Sequence, residues 1–254
     1  CVVLLSPTAL AQTFVDRTAE SGLSIGGGPV AFCDLNTDRI ADLYANGAAW
    51  LGRGDGTFAR CDAPGNGVVA DIDNDGVGDL ISFSPIAVYR GVLTETGMRF
   101  EPIEVPTLPP LEGTVCRGVA VGDFDGDGFV DAYFGGFENW EKQITYPSFL
   151  LRSDKGRAFT LEIITQDYRT RCVTACDYDE DGDPDIYASN YRLQPNLLWI
   201  NDGKGNFTDD AAARNAVATS AGFAGGHSIG ACWGDFDADG RIALFAGNFA
   251  HVDS

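Results

Sequence analysis

Residues 118–134 read Gly118-Val119-Ala120-Val121-Gly122-Asp123-Phe124-Asp125-Gly126-Asp127-Gly128-Phe129-Val130-Asp131-Ala132-Tyr133-Phe134. The opening five residues alternate small and larger apolar side chains, the period of a half-buried strand. Asp then stands at every second position from 123 to 127, and Gly128 follows. A backbone wrapped tightly enough turns those three carboxylates toward one centre, and glycine permits the positive φ of the wrap. Asp131 adds a fourth carboxylate, and an apolar run resumes. The stretch reads as strand, cation loop, strand.

The same pattern occurs five times, starting at residues 34, 71, 123, 177 and 235. Its consensus is D-x-[DN]-x-D-G-x-x-D. The ligand positions are Asp34, Asn36, Asp38 and Asp42 in the first loop, and Asp71, Asp73, Asp75 and Asp79 in the second. They are Asp123, Asp125, Asp127 and Asp131 in the third, Asp177, Asp179, Asp181 and Asp185 in the fourth, and Asp235, Asp237 and Asp239 in the fifth. Arg39 replaces the glycine of loop one, and Ala243 the ninth-position acid of loop five, so these two are expected to bind more weakly. After each loop comes a second apolar run. A third strand, a Gly-rich turn and a fourth strand follow, most clearly in Asn196-Leu197-Leu198-Trp199-Ile200-Asn201-Asp202-Gly203-Lys204-Gly205-Asn206-Phe207.

Four antiparallel strands repeated at this spacing predict an all-β fold, a β-propeller with cation loops between the first and second strands of each blade. One such sheet cannot bury both faces, so the units stack about an axis. Residues 14–19 match residues 207–212 and are expected to be the last strand of another blade. The fifth unit stops after its second strand. On this reading the chain is four blades plus partial units of a truncated propeller, forming an open arc or closing imperfectly, with free strand edges.

The loops offer only oxygen ligands to a hard cation, which favours Ca2+ over zinc or copper, with up to five ions in structural roles. An EF-hand is excluded, because position 12 is Ala45, Ser82, Phe134, Ala188 or Ala246 rather than Glu. Of the 37 acids, 28 are Asp and 9 are Glu, and the net charge is −20. That excess of Asp suits turns and cation loops better than helices, and it argues against nucleic acid as a partner. Five divalent ions would halve the charge.

No apolar run is long enough for a membrane span. Residues 1–11 end in Ala9-Leu10-Ala11 after an apolar stretch and read as the remnant of a signal peptide, leaving residues 12–254 as the propeller. The expected location is therefore secreted or extracellular, or periplasmic or cell-surface in a bacterium. Cys33, Cys61, Cys116, Cys172, Cys176 and Cys232 would then remain, either as disulfides or as small buried packing residues.

Three stretches carry a family resemblance: residues 118–128, residues 196–207, and Gly226-His227-Ser228-Ile229-Gly230-Ala231-Cys232-Trp233-Gly234-Asp235-Phe236. The chain resembles the FG-GAP or VCBS repeat family, that of the integrin α-subunit propeller. Within it the chain is most similar to the secreted cartilage acidic protein type, whose bacterial relatives carry an ASPIC/UnbV domain. The resemblance implies a propeller, usually seven-bladed, with Ca2+ in the loops of one face.

The function this implies is a secreted, calcium-binding scaffold for adhesion or ligand binding, monomeric at full length. Its partner would be an extracellular protein or glycan. The alternative is a carbohydrate-active propeller, either a polysaccharide lyase-like enzyme or a lectin. No Ser-His-Asp or paired-Glu pattern stands out, and His227 and His251 are the only histidines, so the expectation is a non-catalytic protein. Residues 102–113 and 138–147, the latter with Trp140 and Tyr146, interrupt the repeat and are the places where binding would vary. Arg53-Gly54-Asp55 lies in the repeated Gly-rich turn and reads as coincidence. Asn206-Phe207-Thr208 fits the glycosylation pattern but sits in a tight turn.

Overall fold

The computed structural model of the chain describes residues 15–26, 30–45, 47–107, 118–165, 168–219 and 225–249. The signal-peptide reading, Phe14, Cys1, Cys116 and His251 lie outside them.

The described residues hold twenty strands and no helix. Blade one is β1 (Val30–Cys33), β2 (Asp42–Ala45), β3 (Ala48–Gly52) and β4 (Phe58–Asp62), hydrogen-bonded in that order. Blade two repeats it with β5 (Asn66–Ala70), β6 (Asp79–Ser84), β7 (Ile86–Thr94) and β8 (Gly97–Ile103). In blade three, β9 (Val119–Gly122) and β10 (Asp131–Phe134) are followed by an inserted hairpin, β11 (Phe137–Asn139) and β12 (Ile144–Tyr146). The blade then resumes with β13 (Ser148–Asp154) and β14 (Ala158–Thr165). Blade four is β15 (Thr170–Cys176), β16 (Asp185–Asn190), β17 (Leu197–Asn201) and β18 (Phe207–Asp209). The last unit is the pair β19 (Ser228–Gly234) and β20 (Ala243–Asn248). All pairings are antiparallel, so this is a β-propeller of four complete blades.

The first strands β1, β5, β9, β15 and β19 lie side by side in chain order around the centre. Close packing there needs small residues. A Cβ on Gly67 would lie 2.0 Å from the Ile81 carbonyl oxygen, so glycine is required. Between blades two and three the core is Ile72, Ile81, Phe134, Phe149 and Leu151, with Phe134 and Phe149 stacked at 4.8 Å. Between blades three and four it is Phe124, Tyr133, Leu150 and Ile186. Neighbouring blades also share polar contacts, such as the indole N–H of Trp199 donating to the Tyr133 hydroxyl at 3.1 Å.

The expected strand at residues 14–19 is corrected: residues 15–17 are irregular and 18–22 form a turn. The match with residues 207–212 is real but marks the turn that leaves a blade. The Asp16 carboxylate accepts the Thr18 N–H at 2.9 Å, as Asp209 accepts the Ala211 N–H at 3.1 Å. Gly22 and Asn215 then occupy equivalent left-handed positions, at φ 78° and 57°. The sequence match holds for the turn, but β18 is a strand because β17 pairs with it, and no third strand lies beside residues 15–17 among the described residues. The five described cysteines, Cys33, Cys61, Cys172, Cys176 and Cys232, are free thiols.

Candidate metal centres

Each acidic loop joins the end of a blade's innermost strand to the start of the next, so all five open on one face of the propeller. The second residue of the loop anchors it. Leu35, Ile72 and Phe124 occupy that place and are fully buried. The first Asp then organises the wrap by accepting the N–H of position 6: Arg39 to Asp34 at 2.8 Å, Gly76 to Asp71 at 2.9 Å, Gly128 to Asp123 at 2.8 Å, Gly182 to Asp177 at 3.0 Å, and Gly240 to Asp235 at 2.9 Å. The Asp at position 5 accepts the N–H of position 7 in every loop, as Asp75 does from Val77 at 2.8 Å. The backbone is left-handed at position 6, including Arg39 at φ 66°. It is left-handed at position 4 too, in Thr37, Asn74, Gly126, Glu180 and Ala238. Gly126, and more weakly Asn74, are the residues whose type signals that second turn in the sequence.

Carboxylate oxygens converge to within 4.8 Å in four loops, in the groups Asp71, Asp73 and Asp79; Asp123, Asp125 and Asp127; Asp177, Asp179 and Asp185; and Asp235, Asp237 and Asp239. Each is an all-oxygen set able to hold a hard cation. In loop one no such trio forms among the described residues. There the Asn36 amide donates to the Asp38 carboxylate at 3.1 Å and the Arg39 N–H closes the wrap.

The ninth position has a task the sequence did not disclose. Its carboxylate is buried and bridges the loop to the third strand. Asp42 accepts from Leu35 and Gly52, Asp79 from Ile72 and Gly91, Asp131 from Phe124 and Ser153, and Asp185 from Tyr178 and Asn201, at 2.7–3.2 Å. Burial, the largest influence, opposes ionisation against these donors, and the neighbouring loop acids add to it. The Asp79 carboxyl is pushed up to about 6 and that of Asp131 to about 7, with Asp42 and Asp185 raised as well. A bound cation would reverse that balance.

Loops two and three also carry arginines from the third strand. Arg90 pairs with Asp73 at 2.8 Å and donates to the Gly156 carbonyl of the next blade at 3.3 Å. Arg152 lies 3.7 Å from Asp125 and donates to the Gly205 carbonyl at 2.5 Å. Leu51 and Ile200 hold the equivalent places in blades one and four. The arginines therefore staple a loop acid to the turn of the following blade. Their signal in the sequence was faint: two basic residues, each before the residue whose N–H meets the ninth-position Asp.

The family described as FG-GAP-like repeat matches residues 71–134 and 177–246, which span the second to third and the fourth to fifth loops. A search of curated protein sequences found no match. Among solved structures, an Agrocybe aegerita lectin, described for specific recognition of non-reducing terminal N-acetylglucosamine, superposes with a TM-score of 0.51 at 16% identity. The alignment covers 86% of this chain, and the chain spans 60% of the lectin's length. A structure of the Photorhabdus luminescens Tc holotoxin pore aligns at 16% identity and a TM-score of 0.40, over 74% of this chain and 9% of that one.

Proposed function

The chain belongs to the FG-GAP-like repeat family, and from that premise we propose that it is a secreted, calcium-stabilised propeller whose other face binds an extracellular ligand, a glycan first among them. The observation that carries this is the equivalence of the acidic loops. Five copies of one wrap lie on one face, four with converging carboxylates, and each sits at a blade's inner edge rather than in a substrate cleft. Ions held there would cancel repulsion and brace each loop against the second and third strands. The opposite face carries the irregular connections, where specificity is free to vary. The lectin likeness makes a glycan the first ligand class to test. A non-catalytic role is proposed with it.

Two measurements check this reading. Calcium titration of chelator-treated protein should show several bound ions per chain, and the loaded protein should retain particular sugars on a glycan array. Failure to bind calcium would remove the scaffold role of the loops. A folded, calcium-loaded protein that retained no glycan would remove the glycan reading.

A further inference from the structure

The face opposite the acidic loops holds a cluster that the calcium scaffold does not need. Glu138, on the inserted hairpin of blade three, is buried, with 6% exposure. Three arginines from blade four and the segment leading into it converge on it. Arg169 donates to its Oε2 at 3.0 Å and Arg192 to its Oε1 at 3.1 Å, and Arg171 hydrogen-bonds Oε1 as well. Burial works against this carboxylate, but hydrogen bonding and charge from Arg171, and then from Arg192, hold it below the ordinary glutamate value. It stays ionised, so the cluster carries three positive charges against one negative. Glu141 and Lys142 at the hairpin tip cancel. Among the described residues of the cluster the balance is an excess of two positive charges, in a chain of net −20.

The guanidiniums are only partly used. Each offers five N–H donors in a fork shaped for an oxyanion. Arg169 and Arg192 each give Glu138 their Nε, and their terminal nitrogens have no hydrogen-bond acceptor among the described residues. Both side chains are about one-third exposed. A structural ion pair would need one arginine, or two.

Aromatic rings flank the forks. The Arg192 guanidinium stacks 3.4 Å from the centre of the Trp140 ring, and Arg171 lies 4.8 Å from that of Tyr191. Trp140 remains 55% exposed at the hairpin tip, so much of its ring is open. The backbone at Arg192 and Leu193 is left-handed twice in succession, at φ 57° and 64°. Two adjacent non-glycine residues in that region are strained, and strain of this kind clusters at ligand clamps and switch regions.

We propose that Arg169, Arg192 and Trp140 form a subsite for a single acidic sugar, a uronate unit of an extracellular glycan, with Glu138 and Arg171 as positioning residues. The carboxylate of the sugar meets the free forks of Arg169 and Arg192, and its ring lies against the open part of Trp140. An extended polyanion is disfavoured by the chain's net charge of −20. This assignment rests on the glycan reading above and narrows it to one ligand class.

The test uses the calcium-loaded full chain and three probes followed by ligand-observed NMR: methyl β-D-glucuronide, methyl β-D-glucoside and sodium acetate. The glucuronide should bind saturably and weaken as salt rises. The glucoside and acetate should bind at least about tenfold more weakly, because each offers half of the recognition. Trp140→Ala and Arg192→Gln should each weaken glucuronide binding about tenfold with little change in melting temperature. If either variant fails to fold, Trp140→Phe and Arg192→Lys replace it. Absence of glucuronide binding, acetate binding as tight as glucuronide, or equal binding by both variants would overturn the subsite. Neutral glycans retained on the array with no uronate binding would sink this assignment alone and leave the broader glycan reading standing.

Discussion

Asp131 shows how one residue joins the loop to its blade. Its carboxylate accepts the N–H of Phe124 and that of Ser153 while buried, and burial lifts its pKa from the ordinary 3.8 to about 7. Because the folded value lies above the unfolded one, the proton favours the calcium-free fold at low pH. That contribution is complete below about pH 4 and is lost as pH rises toward 7. Asp131→Asn removes the titration. In chelator-treated protein the melting temperature of the wild type should therefore fall relative to that of the variant between about pH 4 and pH 7. Parallel curves would refute the assignment. Arg39 offers a second residue-scale test. It is an L-residue held at φ 66° where the other loops have glycine. Relieving that strain outweighs the extra entropy of glycine, so Arg39→Gly should raise the melting temperature by about 1–2 °C.

The unit of construction at the next scale is the loop with its arginine staple. Arg90 and Arg152 place a fixed positive charge beside the ligand at position 3 of loops two and three. Loop four has Ile200 in that place and keeps its converging trio, Asp177, Asp179 and Asp185. The fourth loop is thus expected to be the tightest calcium site, because a guanidinium competes with the ion for the same carboxylate. In a calcium titration Asp179→Ala should remove the highest-affinity ion, while Asp125→Ala should remove a weaker one. Arg152→Gln should raise the affinity of loop three severalfold and lower the melting temperature without calcium, since it also releases the Gly205 carbonyl. Equal affinities across the loops, or no gain from Arg152→Gln, would exclude this ranking.

For the molecule as a whole, the governing quantity is repulsion on one face. About half of the 37 acids lie in the five loops, and neighbouring loops touch: the Asn74 amide donates to the Gly128 carbonyl at 2.8 Å. The calcium-free protein should gain thermal stability as sodium chloride is raised from about 10 mM to about 200 mM, because screening acts at these separations. The calcium-loaded protein should melt higher and respond much less to salt, since the ions have already cancelled the repulsion. Melting curves in chelator and in millimolar calcium decide it. Equal melting temperatures in both would refute a structural role for the ions.

Blade order, strand order and the five loops were legible in the sequence because they rest on local chemistry. Alternation at period two fixes a strand, and Asp at every second position with Gly128 fixes a wrap, whatever lies elsewhere in the chain. The repeat then forces stacking, since one four-stranded sheet cannot bury both faces. At residues 14–19 a strand end and the turn after it share a sequence pattern, and only pairing separates them. What the tertiary structure alone decided were contacts between residues distant in sequence. The pattern marks the ninth-position Asp as a ligand, yet its second task depends on third-strand N–H groups as far away as Ser153, 22 residues on. The left-handed position 4 is set by loop closure and is borne by Thr37, Asn74, Glu180 and Ala238, of which only Asn74 is of a type that favours it. The cluster on Glu138 joins a hairpin of blade three to Arg192, 54 residues later. No periodicity records such a meeting, because blade stacking brings these charges together, and their balance exists only once the faces have met.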